Sequence, residues 1–530
     1  MISSLLGTRY TISSPSAKGT YSGTFRDVPA STGSIQMSIK TVHLNKTLLW
    51  PSRLRVYNRA SRIGRDTEAK EHDWGLKQNL RTLNRAEAPF PAYHLEFVTV
   101  KSRLDVGSKG TTKRTRDNHS SGPTPGLKKT KSAIAQADLL PRPIRETTPG
   151  RVYVFGTGDC AQLGLGEDTL SRKKPANLAA LNDEQIVDIA AGGLHNMALT
   201  VDGKLWSWGV NDQRTLGRSG DEYSPGPVEG LDNVRIVKVA CSDSLTVALT
   251  EEGSVFTWGT FRSAEGILGH SKEKEVQDLP TIVFGLHNIV DIATGTDHVL
   301  ALDSKGMVYS WGNGQQMQLG RRIVPRRMLN GLTPESVGVK GVARVGAGSY
   351  HSFAIDKEGK AYAWGLNTYG QCGNEDPNVE NVPSVAPIEG LSSEHTLDIQ
   401  GGEHHTVALT KDGKVFGFGR SDSYQLGLGY TEEPGKEDDS SHRKAIRHPT
   451  HISGLPPIKS ISVGGNHTLA LSQTGDVYAW GYGEMLACGN GEEEDVQKPL
   501  KLTGQQIENC RVVKVAAGGQ HSVILAVKER

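Results

Sequence analysis

The chain has 530 residues and a formal net charge of +2, but residues 1–150 hold 25 basic and 11 acidic side chains, whereas residues 151–530 hold 35 and 47. A basic arm joined to an acidic body indicates two partners: nucleic acid, an acidic protein surface or an import receptor for the arm, and a basic protein surface for the body. Five cysteines without zinc-ligand spacing argue against a disulfide framework and a structural metal, and the lack of any run of about 18 apolar residues argues against a membrane span.

Residues 1–106 show no repeat and no regular period, so the sequence assigns them no function. We expect them to be disordered or to be an over-extended start of the reading frame, and their first apolar stretch is too short for a secretory signal. Residues 107–149 are rich in Gly, Ser, Thr, Pro, Lys and Arg. Such a segment cannot bury a core, which predicts a flexible basic tail.

Two basic clusters stand in this tail. Lys113 and Arg114 are followed, after 13 residues, by Lys128, Lys129 and Lys131. The spacing predicts a bipartite nuclear-import signal that an import receptor would bind, and a plain basic linker is the alternative. The same segment could lie along DNA phosphates, in a contact that is independent of base sequence and sensitive to salt.

An aromatic residue followed by glycine recurs seven times in residues 150–530, at intervals of 50 to 62 residues. The pairs are Phe155-Gly156, Trp208-Gly209, Trp258-Gly259, Trp311-Gly312, Trp364-Gly365, Phe418-Gly419 and Trp480-Gly481. Each pair ends a short run of β-branched and aromatic residues, which predicts a strand. Seven all-β, glycine-rich units of about 50 residues indicate the blades of a β-propeller.

Two further anchors support the repeat. Upstream of six pairs, a turn of small residues, usually with a histidine, opens an apolar strand, and a glycine turn joins that strand to the next. Downstream, a Leu-Gly or Cys-Gly pair follows each aromatic-Gly pair. Cys372 and Cys488 occupy the leucine position, which predicts small apolar core residues in preference to reactive thiols.

The two ends of the array are complementary. The strand from Val152 to Phe155 lacks an upstream partner, and the strand that begins at His521 lacks a downstream one. Their pairing would complete the seventh blade and remove two exposed strand edges. The prediction is therefore an all-β, seven-bladed propeller over residues 150–530, closed by its N- and C-terminal strands and preceded by a disordered basic tail.

These repeats resemble the regulator-of-chromosome-condensation family, the guanine-nucleotide exchange factors for the small GTPase Ran. The resemblance covers all seven repeats. It implies a nuclear, chromatin-bound protein of nucleocytoplasmic transport, mitosis and the cell cycle, which contacts nucleosomal DNA and histones. It implies no covalent catalysis, no cofactor and no membrane partner. The repeat itself marks only a fold, because the same propeller serves unrelated functions.

One repeat is longer than the others. Eight residues separate the glycines of the first and third anchors in six repeats, but ten separate Gly259 from Gly269. In the family this place holds the β-wedge, a hairpin pressed against the GTPase near its phosphate-binding loop. Here the matching residues that we expect at the GTPase are Phe261, Arg262, Ser263, Ala264, Glu265 and Gly266. Ser263, Ala264 and Glu265 depart from the polar Asp/Asn-rich tip of the family, and a tolerated surface insertion is the alternative.

Other candidate contacts lie beside the recurring histidines. Recurrence in six of seven repeats indicates a structural role for the histidines, whose rings would bond to neighbouring backbone. Leu245 replaces the histidine of the second repeat. The family's GTPase-contacting positions are matched here by Asp159, His195, Asp243, Asp297, Arg321, His404 and His521.

Three other functions were weighed. No P-loop, HExxH or GxSxG motif is present, which argues against an enzyme. A propeller that serves only as an interaction scaffold would give the inserted segment no special role. A light sensor would need tryptophans clustered at an interface, whereas those of this chain stand in predicted strands.

Overall fold

The computed structural model describes residues 9–13, 20–24, 35–38, 96–99, 139–142, 147–429 and 445–529. The chain divides into two units, residues 1–128 and 129–530. In the first unit β1 (Arg9–Ser13) pairs with β2 (Thr20–Thr24), and β3 (Ile35–Ser38) pairs with β4 (Glu96–Thr99). The sequence predicts no strands here, because strands of four or five residues outside the repeat leave no regular pattern. The predicted import signal lies outside the described residues.

The second unit contains seven four-stranded antiparallel sheets, which confirms the predicted propeller. Blades 1 to 6 follow the chain, and blade 7 combines both ends of it. Blade 1 contains β7 (Ile186–Ala191), β8 (His195–Thr200), β9 (Leu205–Gly209) and β10 (Gly226–Pro227), and blade 2 contains β11 (Ile236–Cys241), β12 (Leu245–Thr250), β13 (Val255–Gly259) and β16 (Gln277–Ile282). Blade 3 contains β17 (Ile289–Thr294), β18 (His298–Asp303), β19 (Val308–Gly312) and β20 (Glu335–Ser336), blade 4 contains β21 (Val342–Ala347), β22 (His351–Asp356), β23 (Ala361–Leu366) and β24 (Asn381–Pro387), and blade 5 contains β25 (Thr396–Gly401), β26 (His405–Thr410), β27 (Val415–Arg420) and β28 (Ala445–His451). Blade 6 contains β29 (Ile458–Val463), β30 (His467–Ser472), β31 (Val477–Gly481) and β32 (Val496–Lys501), and blade 7 contains β33 (Cys510–Ala517), β34 (His521–Lys528), β5 (Arg151–Thr157) and β6 (Ser171–Asn177). The connection between β13 and β16 carries an extra hairpin, β14 (Phe261–Ser263) and β15 (Gly266–Gly269), and short 3₁₀ segments lie at Ala179–Leu181, Pro325–Leu332 and Glu389–Leu391.

The closure prediction is confirmed. β34 pairs antiparallel with β5, with Val523 opposite Val154 and His521 opposite Gly156. The second strand of each blade is buried along nearly its whole length, so the apolar core lies between neighbouring blades. Cys372 and Cys488 are buried in that core, as predicted.

A series of hydrogen bonds joins each blade to the next through the recurring histidines. The Nε2 atom of His298 in blade 3 bonds to the hydroxyl of Ser352 in blade 4 at 2.7 Å, and that hydroxyl donates to the carbonyl of Gln318 in blade 3 at 2.8 Å. Because the hydroxyl donates onward, it must accept from the imidazole, so the proton lies on Nε2. We call this pair of bonds the staple; equivalent staples start at His195, His351, His405, His467 and His521.

The staple explains the glycine three residues before each histidine. The imidazole of His298 packs on Gly295 so closely that a Cβ at position 295 would lie 2.2 Å from the ring. Burial also lowers the pKa of His298 to about 3, so the ring stays neutral at physiological pH. A buried neutral imidazole with one donated proton is a structural group, as the recurrence predicts, but each ring donates to a side-chain hydroxyl or amide of the next blade and not to backbone as predicted.

The first strands of the blades line a central channel and carry charges of alternating sign. Going round the ring from blade 1 to blade 7, the residues at one equivalent position are Asp188, Lys238, Asp291, Arg344, Asp398, Ser460 and Lys514. Lys238 lies 2.6 Å from Asp291, and Lys514 lies 3.2 Å from Asp188. Seven positions cannot alternate in sign without one neutral member, and the neutral Ser460 separates Asp398 from Lys514. The ring therefore closes without adjacent like charges.

The propeller has two distinct faces. The turns between first and second strands and the connections between third and fourth strands share one face, which we call the wedge face. The turns between second and third strands form the opposite face, and there the backbone N–H of Leu140 donates to the carbonyl of Ser304 and Arg142 donates to the carbonyl of Glu251. Of the described helical segments, none has the length and hydropathy needed to cross a membrane.

Removal of residues 521–530 should cause aggregation. The deletion removes β34 and leaves the edges of β33 and β5 without partners, and unpaired strand edges associate with other chains. Size-exclusion chromatography with light scattering measures the outcome. Deletion of residues 529–530 alone, which spares β34, is the control and should leave a monodisperse protein. A monodisperse protein after the longer deletion would contradict closure by β34.

Candidate functional site

The inserted segment of blade 2 forms a hairpin on the wedge face, and we call residues 260–267 the wedge. Ser263 pairs with Gly266 across a two-residue tip of Ala264 and Glu265. Gly266 has a φ of +118°, a conformation that L side chains rarely adopt, so the turn depends on glycine at this position. The side chains of the tip, Arg262 and Ile267 are exposed. The wedge thus presents two apolar side chains, one acidic and one basic side chain to a partner.

The base of the wedge is fixed within the propeller core. The backbone N–H of Thr260 donates to the carbonyl of Ser244 at 2.8 Å, and its hydroxyl donates to the carbonyl of Glu275 at 2.6 Å. Phe261 is 1 % exposed and packs with Trp311 and other apolar residues between blades 2 and 3. Phe261 therefore anchors the hairpin, and its side chain, expected from the sequence at the GTPase, is not available to a partner in this conformation.

Two of the predicted aspartates meet beside the wedge. Asp297 accepts the backbone N–H of Arg262 at 2.7 Å and is 9 % exposed. Burial, helped by the negative charge of Asp243 and opposed by the N–H of Arg262, raises the pKa of Asp297 to about 7. The sequence predicts that Asp297 contributes affinity for the GTPase, but the structure places its carboxylate beneath the wedge as a support.

A cavity of about 530 Å³ opens on the wedge face at the mouth of the central channel. Turns of all seven blades line it, and its charged members include Asp243, Glu403 and Arg262. The Asp243 side chain is open to solvent but lies inside this mouth, and burial among the turns, followed by the charge of Glu403, raises its pKa to about 6. The mouth is acidic and suits a basic group of a partner.

His404 lies in an aromatic group at the rim of this mouth. Its ring is 5.1 Å from that of Tyr369 and 6.0 Å from that of Tyr350, and its Nε2 lies 3.7 Å from the Glu403 carboxylate. Arg420 stacks over Tyr369 at 5.6 Å. Burial lowers the pKa of His404, and Glu403 partly opposes that effect. His404 is thus a partly exposed polar group that a partner can reach.

Four other predicted residues lie apart from this group. Asp159 is exposed on the same face in blade 7. Arg321 is largely enclosed, because its guanidinium donates to the carbonyls of Ser310, Gly331 and Thr333 and pairs with Glu335 at 3.3 Å. His195 and His521 are 1 % and 0 % exposed and belong to staples. A direct contact of His195 or His521 with a partner is therefore not available in this conformation, whereas Arg321 keeps part of its side chain exposed. Sequence matches could not show this burial within the repeat core.

Two residues that the sequence did not suggest contact the wedge from blade 3. Asn313 donates from Nδ2 to the carbonyl of Arg262 at 3.1 Å, and Gln315 accepts the N–H of Ala264 at 3.1 Å through Oε1. The sequence could have indicated them, because two recurring positions of the repeat depart from the pattern at the seam between blades 2 and 3. Leu245 stands where other repeats have histidine, and Val299 stands where they have Ser, Thr or Asn.

The arrangement favours recognition over bond-breaking chemistry. Among the described residues, no group of three or more His, Cys, Asp or Glu side chains could hold a metal ion. The raised pKa values of Asp243 and Asp297 come mainly from burial. Fold and site together define a class: a propeller that presents an acidic mouth and a fixed hairpin to a protein partner.

Comparison with known proteins gives the family. Residues 151–524 match the model of the RCC1-like domain, so the chain belongs to the family of RCC1-like propellers. Protein pim1 of Schizosaccharomyces pombe is 40 % identical over 80 % of this chain and 85 % of its own length. Guanine nucleotide exchange factor SRM1 of Saccharomyces cerevisiae is 34 % identical over 72 % of this chain and 88 % of its own. The crystal structure of Prp20p from Saccharomyces cerevisiae, described with its binding properties to Gsp1p and histones, superposes with a TM-score of 0.69 at 33 % identity and covers 74 % of this chain and 94 % of Prp20p.

Between about pH 4 and pH 7, Asp297 should oppose the gain in stability that the buried histidines, with pKa values lowered to about 3, produce as the pH rises. Its folded pKa of about 7 lies above the usual unfolded value, so at this carboxyl the folded state binds more protons in this window and is favoured at the acid end. Asp297→Asn keeps an oxygen acceptor for Arg262 but does not titrate. Thermal unfolding of both proteins against pH should show a steeper gain of stability with rising pH for the variant, by at most about 1.4 kcal/mol per pH unit. Parallel profiles would show that Asp297 titrates normally.

Proposed function

We propose that the protein is a guanine nucleotide exchange factor for a Ran-type small GTPase and acts on chromatin in the nucleus. The observation that carries the proposal is the wedge, a single rigid hairpin beside an acidic channel mouth on one face of an RCC1-like propeller. The relative SRM1 is named as an exchange factor, and Prp20p is described with Gsp1p as a binding partner. Both relatives are matched over most of their length, which supports the same function for this chain.

The geometry supports release of nucleotide without a covalent step. The GTPase would bind the wedge face with basic groups near Asp243, Glu403 and His404, and the wedge would then press on the nucleotide site. A thousandfold acceleration of GDP release requires about 4 kcal/mol of preferential binding to the transition state. A hairpin fixed at its base can supply this because its ordering entropy has already been lost.

The second partner is chromatin. The basic tail would bind nucleosomal DNA through its phosphates and would also carry the import signal for an import receptor. Residues 139–142, near the C-terminal end of the tail, contact turns of the opposite face at Glu251 and Ser304. The described end of the tail therefore leaves the wedge face open to the GTPase. Prp20p, a family member, is described with binding properties to histones.

Deletion of Ala264 and Glu265 should abolish most exchange. The deletion restores the eight-residue spacing of the other repeats and removes the tip that would reach the nucleotide site. Release of labelled GDP from Ran should slow by more than about tenfold, a loss of at least about 1.4 kcal/mol. Binding of Ran and the melting temperature should change little, because the anchors at Thr260 and Phe261 remain.

The matched control removes Lys272 and Glu273, two exposed residues of the same connection that lie outside the wedge. This control should release GDP at the parental rate. If the wedge deletion also releases GDP at the parental rate, the wedge has no role in exchange, and the protein is better described as an interaction scaffold.

Substitution of the tail's basic residues should weaken DNA binding and nuclear import without changing nucleotide exchange on the GTPase. Changing Lys113, Arg114, Lys128, Lys129 and Lys131 to Ala removes up to five phosphate contacts, so the slope of log affinity for DNA against log salt should fall by as much as about 4. Nuclear accumulation of a fluorescent fusion should fall as well. GDP release from Ran in dilute buffer should barely change, and a large loss there would place the tail at the GTPase interface.

A further inference from the structure

The seam between blades 2 and 3 is the one described seam of the ring that lacks the staple. Leu245 stands in place of the histidine, and Val299 stands in place of the residue whose side chain accepts the histidine N–H at the other seams. Both side chains are 0 % exposed. At the other seams the hydroxyl or amide donates to a carbonyl of the preceding blade's third anchor, but in blade 2 the wedge occupies this place. A hydroxyl at position 299 would lack that acceptor, and an unpaired buried polar group is costly. The apolar pair is thus a consequence of the inserted hairpin.

Hydrogen bonds to the wedge bridge this seam instead. Along β14 the outward groups are the N–H and C=O of Arg262 and the N–H of Ala264, which is the pattern of a free strand edge. Asp297 accepts the first at 2.7 Å, Asn313 donates to the second at 3.1 Å, and Gln315 accepts the third at 3.1 Å. Three side chains of blade 3 thereby take the place of a third strand.

Gln315 contacts the tip of the wedge through both the oxygen and the nitrogen of its side-chain amide. Its Oε1 accepts the N–H of Ala264, and its Nε2 donates to the carboxylate of Glu265 at 2.9 Å. Asn313 fixes Gln315 in turn, because its Oδ1 accepts the N–H of Gln315 at 2.9 Å and its Nδ2 donates to the Gln315 Oε1 at 3.2 Å. Asn313 is 7 % exposed, so this support is built into blade 3.

We propose that Asn313 and Gln315 are positioning residues for nucleotide release, which set the direction of the wedge from the neighbouring blade; this inference rests on the proposed function. A two-stranded hairpin is marginally stable by itself in water and needs a third strand or a packed face to keep one orientation. The core anchor at Phe261 fixes the base alone. The contacts of Asn313 and Gln315 fix the tip, where a small displacement would misdirect the force on the nucleotide site.

The first experiment compares Gln315→Ala with Gln316→Ala in GDP release from Ran. Gln316 is the adjacent residue of the same type, and its side chain makes no described contact with the wedge. Gln315→Ala should lower the maximal release rate about threefold to tenfold, the effect of losing one or two hydrogen bonds. The Ran concentration at half-maximal rate should stay within about twofold, because the binding surface is retained. Gln316→Ala should match the parent, and equal rates for the two variants would overturn the proposal.

A charge exchange tests the contact with Glu265. Gln315→Glu places a second carboxylate beside Glu265 and should lower the release rate by repulsion. Adding Glu265→Gln should return the rate to that of Glu265→Gln alone, because the new amide can donate to the new carboxylate. A merely structural role for position 315 would not give rescue, so failure of the double variant to recover would overturn the contact as the positioning device.

Hydrogen exchange of the free protein separates positioning from function. In Gln315→Ala, the backbone amides of residues 260–268 should exchange faster than in the parent or in Gln316→Ala, with the rest of the propeller unchanged. If exchange of these amides does not change, the wedge is held by other contacts and the positioning inference fails. If deletion of Ala264 and Glu265 leaves GDP release intact, the proposed function fails instead, whatever Gln315→Ala does to the amides.

Discussion

Each stapled blade is fastened to the next by two hydrogen bonds in series, from a buried imidazole to a hydroxyl or amide of the following blade and from that group back to a carbonyl of the first blade. The groups are desolvated, so a bond left unmade costs more than the same bond contributes when it is made. The sheets therefore keep fixed angles around the ring, and the turns of the wedge face have fixed positions. Such preorganisation is what allows a face built from loops to bind a protein selectively.

The hairpin lies at the seam between blades 2 and 3, which has no staple. An insertion in the third anchor removes the carbonyl at which a staple ends, and the buried partners at that seam then become apolar, as at Leu245 and Val299. The seam is closed by packing around Phe261 and by hydrogen bonds to the edge of β14. The hairpin is therefore both the projecting element of blade 2 and the link between blades 2 and 3, so its orientation depends on the blade next to it.

The charges are divided in a way that matches two partners. Within the channel, the alternating ring around Ser460 leaves no excess of either sign among its seven positions. The acidic excess at the mouth, where Asp243 and Glu403 stand against Arg262, is directed at the surface, where it suits a basic partner. The basic arm joins the body through residues 139–142 at the opposite face, and the two kinds of binding need not compete for one surface.

The sequence by itself determined the seven repeats, the closure by terminal strands, the turn glycines and the position of the wedge, because these depend on local pattern and on spacing along the chain. It could not determine that His195 and His521 are buried in staples, or that Asp297 supports the wedge. Nor could it show the roles of Asn313 and Gln315, which lie about 50 residues beyond the hairpin that they hold. Those contacts join different blades, and only the angle at which blades 2 and 3 pack brings the edge of β14 within hydrogen-bond distance of their side chains.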